Sequence, residues 1–283
     1  MNRVNAITLL LTIVIVGVVV AYSQRRPLAG GPGGVRSFTS SAPLGGASKL
    51  DAEIRMGAGV LRLRTIDTGN AYEAEITRNE GWPVDVSYRD GRLRIGDRGP
   101  RFAGTTYTNE WTVGVSRRVP LDLEVTTGVG RATLDLTGMS GSAEIRAGAG
   151  DLRVEFGAGR GTVERLELRG GVGRFEALRL GNAGAARIEA RSGVGEFILD
   201  FSGTPRGTTE LEVHGGVGRV LLTVPSGLGV RVRASKGLTK SLRLEGFKRV
   251  GDDEYVNDTW ATATAKLDVR ASLGIGEFAV LVK

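Results

Sequence analysis

The chain is 283 residues long, with 44 glycines, 41% apolar residues, no cysteine and a formal net charge of +7. The missing cysteines exclude disulfide staples, a thiol nucleophile and cysteine-built metal sites, and a single histidine, His214, excludes histidine clusters. Glycine far above the usual ~7%, without a triplet period, excludes collagen, while the positive charge favours anionic partners.

Residues 6–22 are an uncharged 17-residue run, preceded by Arg3 and followed by Arg25 and Arg26. As a helix the run would span ~26 Å, enough for a transmembrane anchor, although Val19-Val20-Ala21 also reads as a signal-peptide cleavage site. It is longer than the roughly 7–15 residues of a signal core, so residues 1–22 are expected to be a retained transmembrane helix. Residues 23–48, with Pro27, Pro32, Pro43 and repeated glycine, read as a flexible linker.

Residues 49–120 read as an N-terminal β subdomain that caps a repetitive region beginning at residue 121. Leu50, Ala52, Ile54 and Met56 share one face ahead of Gly57-Ala58-Gly59. Strands are then expected at residues 71–77, 84–88, 93–95 and 107–115, with Asp90-Gly91 as a hairpin turn. Trp82 and Trp111 suit packing anchors for this section.

From residue 121 one phrase repeats: an alternating strand, a Gly-x-Gly corner, another alternating strand. The corners are Gly128-Val129-Gly130, Gly148-Ala149-Gly150, Gly171-Val172-Gly173, Gly193-Val194-Gly195 and Gly216-Val217-Gly218, with starts 20, 23, 22 and 23 residues apart. The phrase returns at Gly274-Ile275-Gly276. A period of this size with strand alternation predicts an all-β fold, a single-chain β-solenoid of ~22-residue, two-strand rungs over residues 121–283. Leu152, Val154 and Phe156, then Phe197, Leu199 and Phe201, then Phe278, Val280 and Val282, are expected core columns. Glycine fits the corners because it accepts positive φ and lets stacked backbones approach. A phosphate-binding glycine loop would need a following helix, and every corner here runs into a strand. After Val224 the corner degrades to Gly227-Leu228-Gly229, and residues 237–264 read as a hairpin excursion before the last rung. Its acidic turn, Gly251-Asp252-Asp253-Glu254, lacks the ligand spacing of a calcium loop.

The outward residues form columns. Four residues before the corners stand Glu53, Glu124, Glu144, Glu167, Glu189 and Glu212; two before stand Arg55, Arg146, Arg169, Arg191 and His214. Stacked like charges repel, so the two columns should interleave. Just after the corners, Arg131, Asp151, Arg174, Glu196 and Arg219 alternate in sign, as direct neighbours in a parallel stack would favour.

Catalysis finds little here. His214 stands in a column otherwise filled by arginine, and the regular glutamates are a pattern rather than a local acid pair. The expectation is a non-enzymatic protein without cofactor or metal; a carbohydrate-active enzyme is the remote alternative. Arg146, Arg169, Arg191, His214, Arg231 and Arg233 make a candidate stripe for anionic lipid headgroups or wall polymers, with a salt-bridged, solvated face as the competing reading. Basic strands without interleaved aromatics argue against nucleic acid.

Residues 50–63, the run Asn109-Glu110-Trp111 through Val119-Pro120-Leu121-Asp122-Leu123, and the corners with Leu134-Asp135-Leu136 resemble the bacterial toast-rack domain. The repeats are also similar to the C-terminal domain of cell-wall-active antibiotic response proteins and to bacterial candidate-adhesin domains. The resemblance spans residues 49–283 and implies a monomeric β-solenoid on a bacterial membrane protein, with no catalytic residues to carry over. The single apolar run followed by a large folded region makes a single-pass protein of the cytoplasmic membrane, with its solenoid outside, the expectation. The resemblance implies a role in adhesion, or in envelope-stress signalling through a membrane protein. The regulators of that signalling often carry several membrane helices, whereas this chain has one apolar run. A filament of solenoids joined end to end is the structural alternative.

Overall fold

A computed structural model describes residues 34–97, 107–235 and 242–283. The expected anchor, residues 1–22, and residues 23–33 of the expected linker lie outside the described residues.

The described chain is all-β apart from a three-residue 3₁₀ turn at Leu180–Asn182. Sixteen strands form one sheet: β1 (Val35–Pro43), β2 (Leu50–Ile66), β3 (Asn70–Asn79), β4 (Val84–Arg89), β5 (Arg92–Asp97), β6 (Asn109–Ser116), β7 (Leu121–Asp135), β8 (Gly141–Glu155), β9 (Val163–Leu178), β10 (Arg187–Asp200), β11 (Thr208–Val224), β12 (Gly229–Ala234), β13 (Leu242–Leu244), β14 (Phe247–Gly251), β15 (Glu254–Asn257) and β16 (Lys266–Val282). The order β2-β7-β8-β9-β10-β11-β16 is a parallel stack of seven long strands, each bent at one Gly-x-Gly corner. Every corner lies against the next, Gly130 on Gly150 on Gly173 on Gly195 on Gly218 on Gly276.

Alternation drives the core. The column just inside the corner reads Leu61, Ala132, Leu152, Phe175, Phe197, Val220 and Phe278, each at most 4% exposed. Phe175 and Phe197 meet at 6.0 Å between ring centroids, a tilted pair. Val282 departs from its expected place and is 38% exposed. It has Val224 on one side, but β13 pairs only with Phe278–Val280, so among the described residues no outer strand covers it.

Three expectations of layout change. The stack begins with β2, which pairs in register with β7 from Leu50↔Leu121 to Arg64↔Asp135, so the capping section supplies a full rung itself. Residues 35–43 are a strand rather than a tether, antiparallel to β3 from Val35↔Asn79. Ser37 and Ser40 hydrogen-bond Thr77 and Tyr72 at 2.7 and 2.8 Å, so a mostly polar sequence works on an exposed edge. Finally, Gly227-Leu228-Gly229 is not a corner. β16 lies directly on β11, and β12 sits outside β16 as a half rung, from Gly229↔Lys266 to Ala234↔Ala271.

The ends are closed by shorter strands, parallel where they touch the stack and antiparallel in the layer beyond. At one end β5 and β4 cover the first half of β2, while β6, β3 and β1 cover the second half. At the other, β12 and the β14–β15 hairpin on it cover the first half of β16, and β13 lies parallel against Phe278–Val280 of its second half. Trp82 and Trp111 are buried in the first of these regions, as their packing role requires.

Candidate interaction surfaces

The corners dictate what the molecule can present. At the second glycine φ runs from +123° at Gly150 to +140° at Gly276, and from Gly130 onward an added Cβ would stand 1.7–2.0 Å from the carbonyl oxygen of the preceding corner's second glycine. At the first glycine of each corner from Gly128 onward an added Cβ would stand 2.2–2.7 Å from the carbonyl oxygen of the preceding corner. Only the middle residue has room for a side chain, and that side chain points outward. Ala58, Val129, Ala149, Val172, Val194, Val217 and Ile275 therefore form one apolar ridge, in register along the whole stack. Val129, Val172 and Ile275 are 54%, 46% and 60% exposed.

Before the ridge lies the glutamate–arginine ladder. Arg146 binds Glu124 of the preceding strand at 3.0 Å and also its own Glu144. Arg169 reaches back to Glu144 at 3.7 Å and holds Glu167 at 2.9 Å; Arg191 bridges to Glu189. The columns interleave as expected. The hydrogen bond from Arg191, aided by the charges of Arg169 and His214, holds the Glu189 carboxyl below the usual range against its partial desolvation.

The candidate stripe does not run as one line. Arg146, Arg169, Arg191 and His214 are register partners, but Arg231 and Arg233 pair with Asp268 and Arg270, two and one columns further from the corner on the same face. Both are engaged: Arg231 bonds Asp268, and Arg233 meets Asp268 at 3.0 Å and Glu254 at 3.4 Å. The bond to Asp268 raises the Arg231 pKa, and the guanidinium stacks 4.7 Å from the Trp260 ring centroid.

The charge balance sharpens this. Arg3, Arg25, Arg26, Arg98, Arg101, Lys236 and Lys240 account for the whole excess of +7, and all seven lie outside the described residues. With these removed from the 38 basic residues, the described residues hold 31 basic and 31 acidic side chains.

After the ridge runs the sign-alternating ladder. Arg131 pairs in register with Asp151, Asp151 with Arg174, Arg174 with Glu196, Glu196 with Arg219, and Arg219 with Glu277. Its ion pairs are longer: Arg131–Asp151 3.5 Å, Arg174–Glu196 3.6 Å and Arg219–Glu277 3.6 Å.

One constellation is not evident from the sequence. His214 Nδ1 lies 2.8 Å from Ser272 Oγ, and His214 Nε2 lies 2.8 Å from Glu212 Oε1. Ser272 stands two residues before the last corner, so extending the arginine column to Gly274 would have found it. The chain of acceptor, imidazole and hydroxyl lines an open groove of about 260 Å³ with Arg233, Ser235 and Arg270. Among the described residues no group of three or more His, Asp or Glu side chains is placed to hold a metal ion.

The N-terminal domain of toast_rack matches residues 31–177, slightly more than half of the chain. No curated protein matches. Among solved structures, a candidate cell adhesion protein from Clostridium sporogenes is 19% identical, with 88% of this chain and 100% of that chain covered at a TM-score of 0.46. A candidate adhesin from Bacteroides fragilis is 17% identical, with 87% and 97% covered at a TM-score of 0.41. The family match rests on the first rung, its antiparallel cover and the following three rungs, and on these the chain belongs to the toast-rack family.

Proposed function

We propose that this is a non-enzymatic envelope protein, anchored in the bacterial cytoplasmic membrane by residues 1–22, whose solenoid is a rigid scaffold held outside the cytoplasm for binding. The observation that carries the reading is the outer surface of the stack. Its charges are balanced in ladders along the strands, and between the ladders stands an apolar ridge. Such a surface suits shape-complementary protein contact better than capture of polyanions. Antiparallel pairs cover the first end and the first half of β16, and only the three-residue β13 lies parallel on its second half, which leaves little edge for growth into a filament by parallel pairing.

Protease digestion of a C-terminal tag in intact cells, with membrane fractionation alongside, tests the placement. Cleavage with retention in the membrane fraction supports it; protection until lysis overturns it. A hydrolytic reading is favoured only by the Glu212–His214–Ser272 chain. Labelling of Ser272 by a fluorophosphonate would establish that reading, and an unlabelled Ser272 would remove its one support.

A further inference from the structure

The ridge and the ladder beside it are complementary to themselves. Along the stack the ladder reads Arg131, Asp151, Arg174, Glu196, Arg219, Glu277, six charges of strictly alternating sign. An alternating series of even length, read backward, is its own opposite. We propose that two copies of this chain associate ridge to ridge, antiparallel, about a two-fold axis perpendicular to the stack between β9 and β10.

That operation sets Arg131 against Glu277 of the second copy, Asp151 against Arg219 and Arg174 against Glu196, each in both directions. A slip of one strand would oppose like charges throughout, so the ladder selects the register. On the ridge the same operation places Val129 opposite Ile275, Ala149 opposite Val217 and Val172 opposite Val194. The small Ala149 falls against the β-branched Val217, while Val129 meets Ile275 at the two ends of the contact, where both stand out furthest. On the other flank Arg169 comes opposite Arg191, and both guanidinium groups are already occupied by Glu167 and Glu189. Within the chain Arg174 also holds Glu176 at 2.8 Å and Glu277 meets Arg243 at 3.0 Å, but the six ladder side chains stay 33–69% exposed and so can take a second partner.

Seven strands at about 4.8 Å give a ridge about 29 Å long, and five residues at about 3.3 Å make the contact strip about 15 Å wide. That is on the order of 400 Å² per partner, the class of weak and reversible complexes rather than obligate dimers. The association rests on the ridge and the ladder beside it and is independent of what else the scaffold binds.

The absence of native cysteine makes the test direct. Full-length V129C and I275C chains are purified in mild non-ionic detergent and oxidised, separately and mixed. The mixture is expected to form a cross-linked dimer, whereas V129C alone is not, because its two copies would lie five strands, about 24 Å, apart. Cross-linking of V129C alone as readily as of the mixture would overturn the antiparallel register. No cross-link in any sample, the outcome if the ridge receives lipid or a different protein, would overturn the dimer. The charges give a second measurement: E196R should weaken association by about tenfold or more, and R174E/E196R should restore it. Weakening without restoration would assign the effect to something other than this pairing.

Discussion

The two charged ladders flanking the corners solve one problem in different ways. Both must stack ionised side chains at about 4.8 Å without setting like charge against like. The ladder before the corner keeps one sign per column and sets two opposite columns side by side, so that Arg146 and Arg169 each hold a glutamate of their own strand and one of the strand before. The ladder after the corner uses one column and changes sign from strand to strand. The first closes on itself with contacts of 2.9–3.0 Å at Arg169–Glu167 and Arg146–Glu124; the second leaves contacts of 3.5–3.6 Å. The second ladder also has tight pairs, Arg174–Glu176 at 2.8 Å and Arg243–Glu277 at 3.0 Å. Its acids are nevertheless 33–58% exposed against 15–36% in the first, so it is the more open to a partner, with the apolar ridge between the two.

The corner that separates the ladders should be the most sensitive place to break. Gly173→Val puts a side chain where a Cβ already meets the Gly150 oxygen at 2.0 Å, at a φ of +137°. A loss of about 3–5 kcal/mol is expected in chemical denaturation, whereas its neighbour Val172→Ala, on the exposed ridge, should change stability by less than about 0.5 kcal/mol. Equal effects would contradict the packing of the corners.

The ladders themselves come next. Asp151→Arg sets three cations in a row with Arg131 and Arg174, which should cost about 1–2 kcal/mol at low salt and recover in about 1 M salt. Arg169→Gln removes the cation shared by Glu144 and Glu167 and should cost about 0.5–1 kcal/mol. Thermal melts across a salt series would separate the two, since only the first introduces new repulsion.

The smallest effect is titration. The Glu189 pKa is lowered in the folded chain, so its contribution is complete above the unfolded carboxyl pKa and disappears as pH falls through the lower folded value. Replacing Glu189 by Gln should flatten the acid limb of the stability profile below about pH 4.5 without altering the neutral plateau. An unchanged acid limb would detach Glu189 from the ladder.

The stack is legible in the sequence because its causes repeat. Alternation announces strands, Gly-x-Gly announces corners, and the signs of Arg131, Asp151 and Arg174 announce which strands touch. Features that do not repeat leave no such signal. The first corner has no preceding strand, and its open backbone is closed by Asp97, which accepts from Gly57 N–H at 3.1 Å, and by Asn109, which donates to the Ala58 oxygen at 2.7 Å. Those partners lie 40 and 51 residues away in sequence, with no periodicity to point to them. β1 is hidden because an edge strand needs few apolar residues, and the place of β16 because chain order and spatial order part after β11. The site is half legible. The columns are visible, but the partner of each arginine, and the location of the net charge, depend on which residues the fold brings together.

The claim that the arginine column is insulated is tested most directly by comparing the full chain with its R146Q/R169Q/R191Q variant in binding to long-chain polyphosphate across a salt series. The insulated ladder predicts the same affinity and the same salt dependence for both, since the excess positive charge lies elsewhere. A weaker affinity with a shallower salt slope in the variant would show that these arginines meet the polyanion, and would contradict the insulation of the ladder.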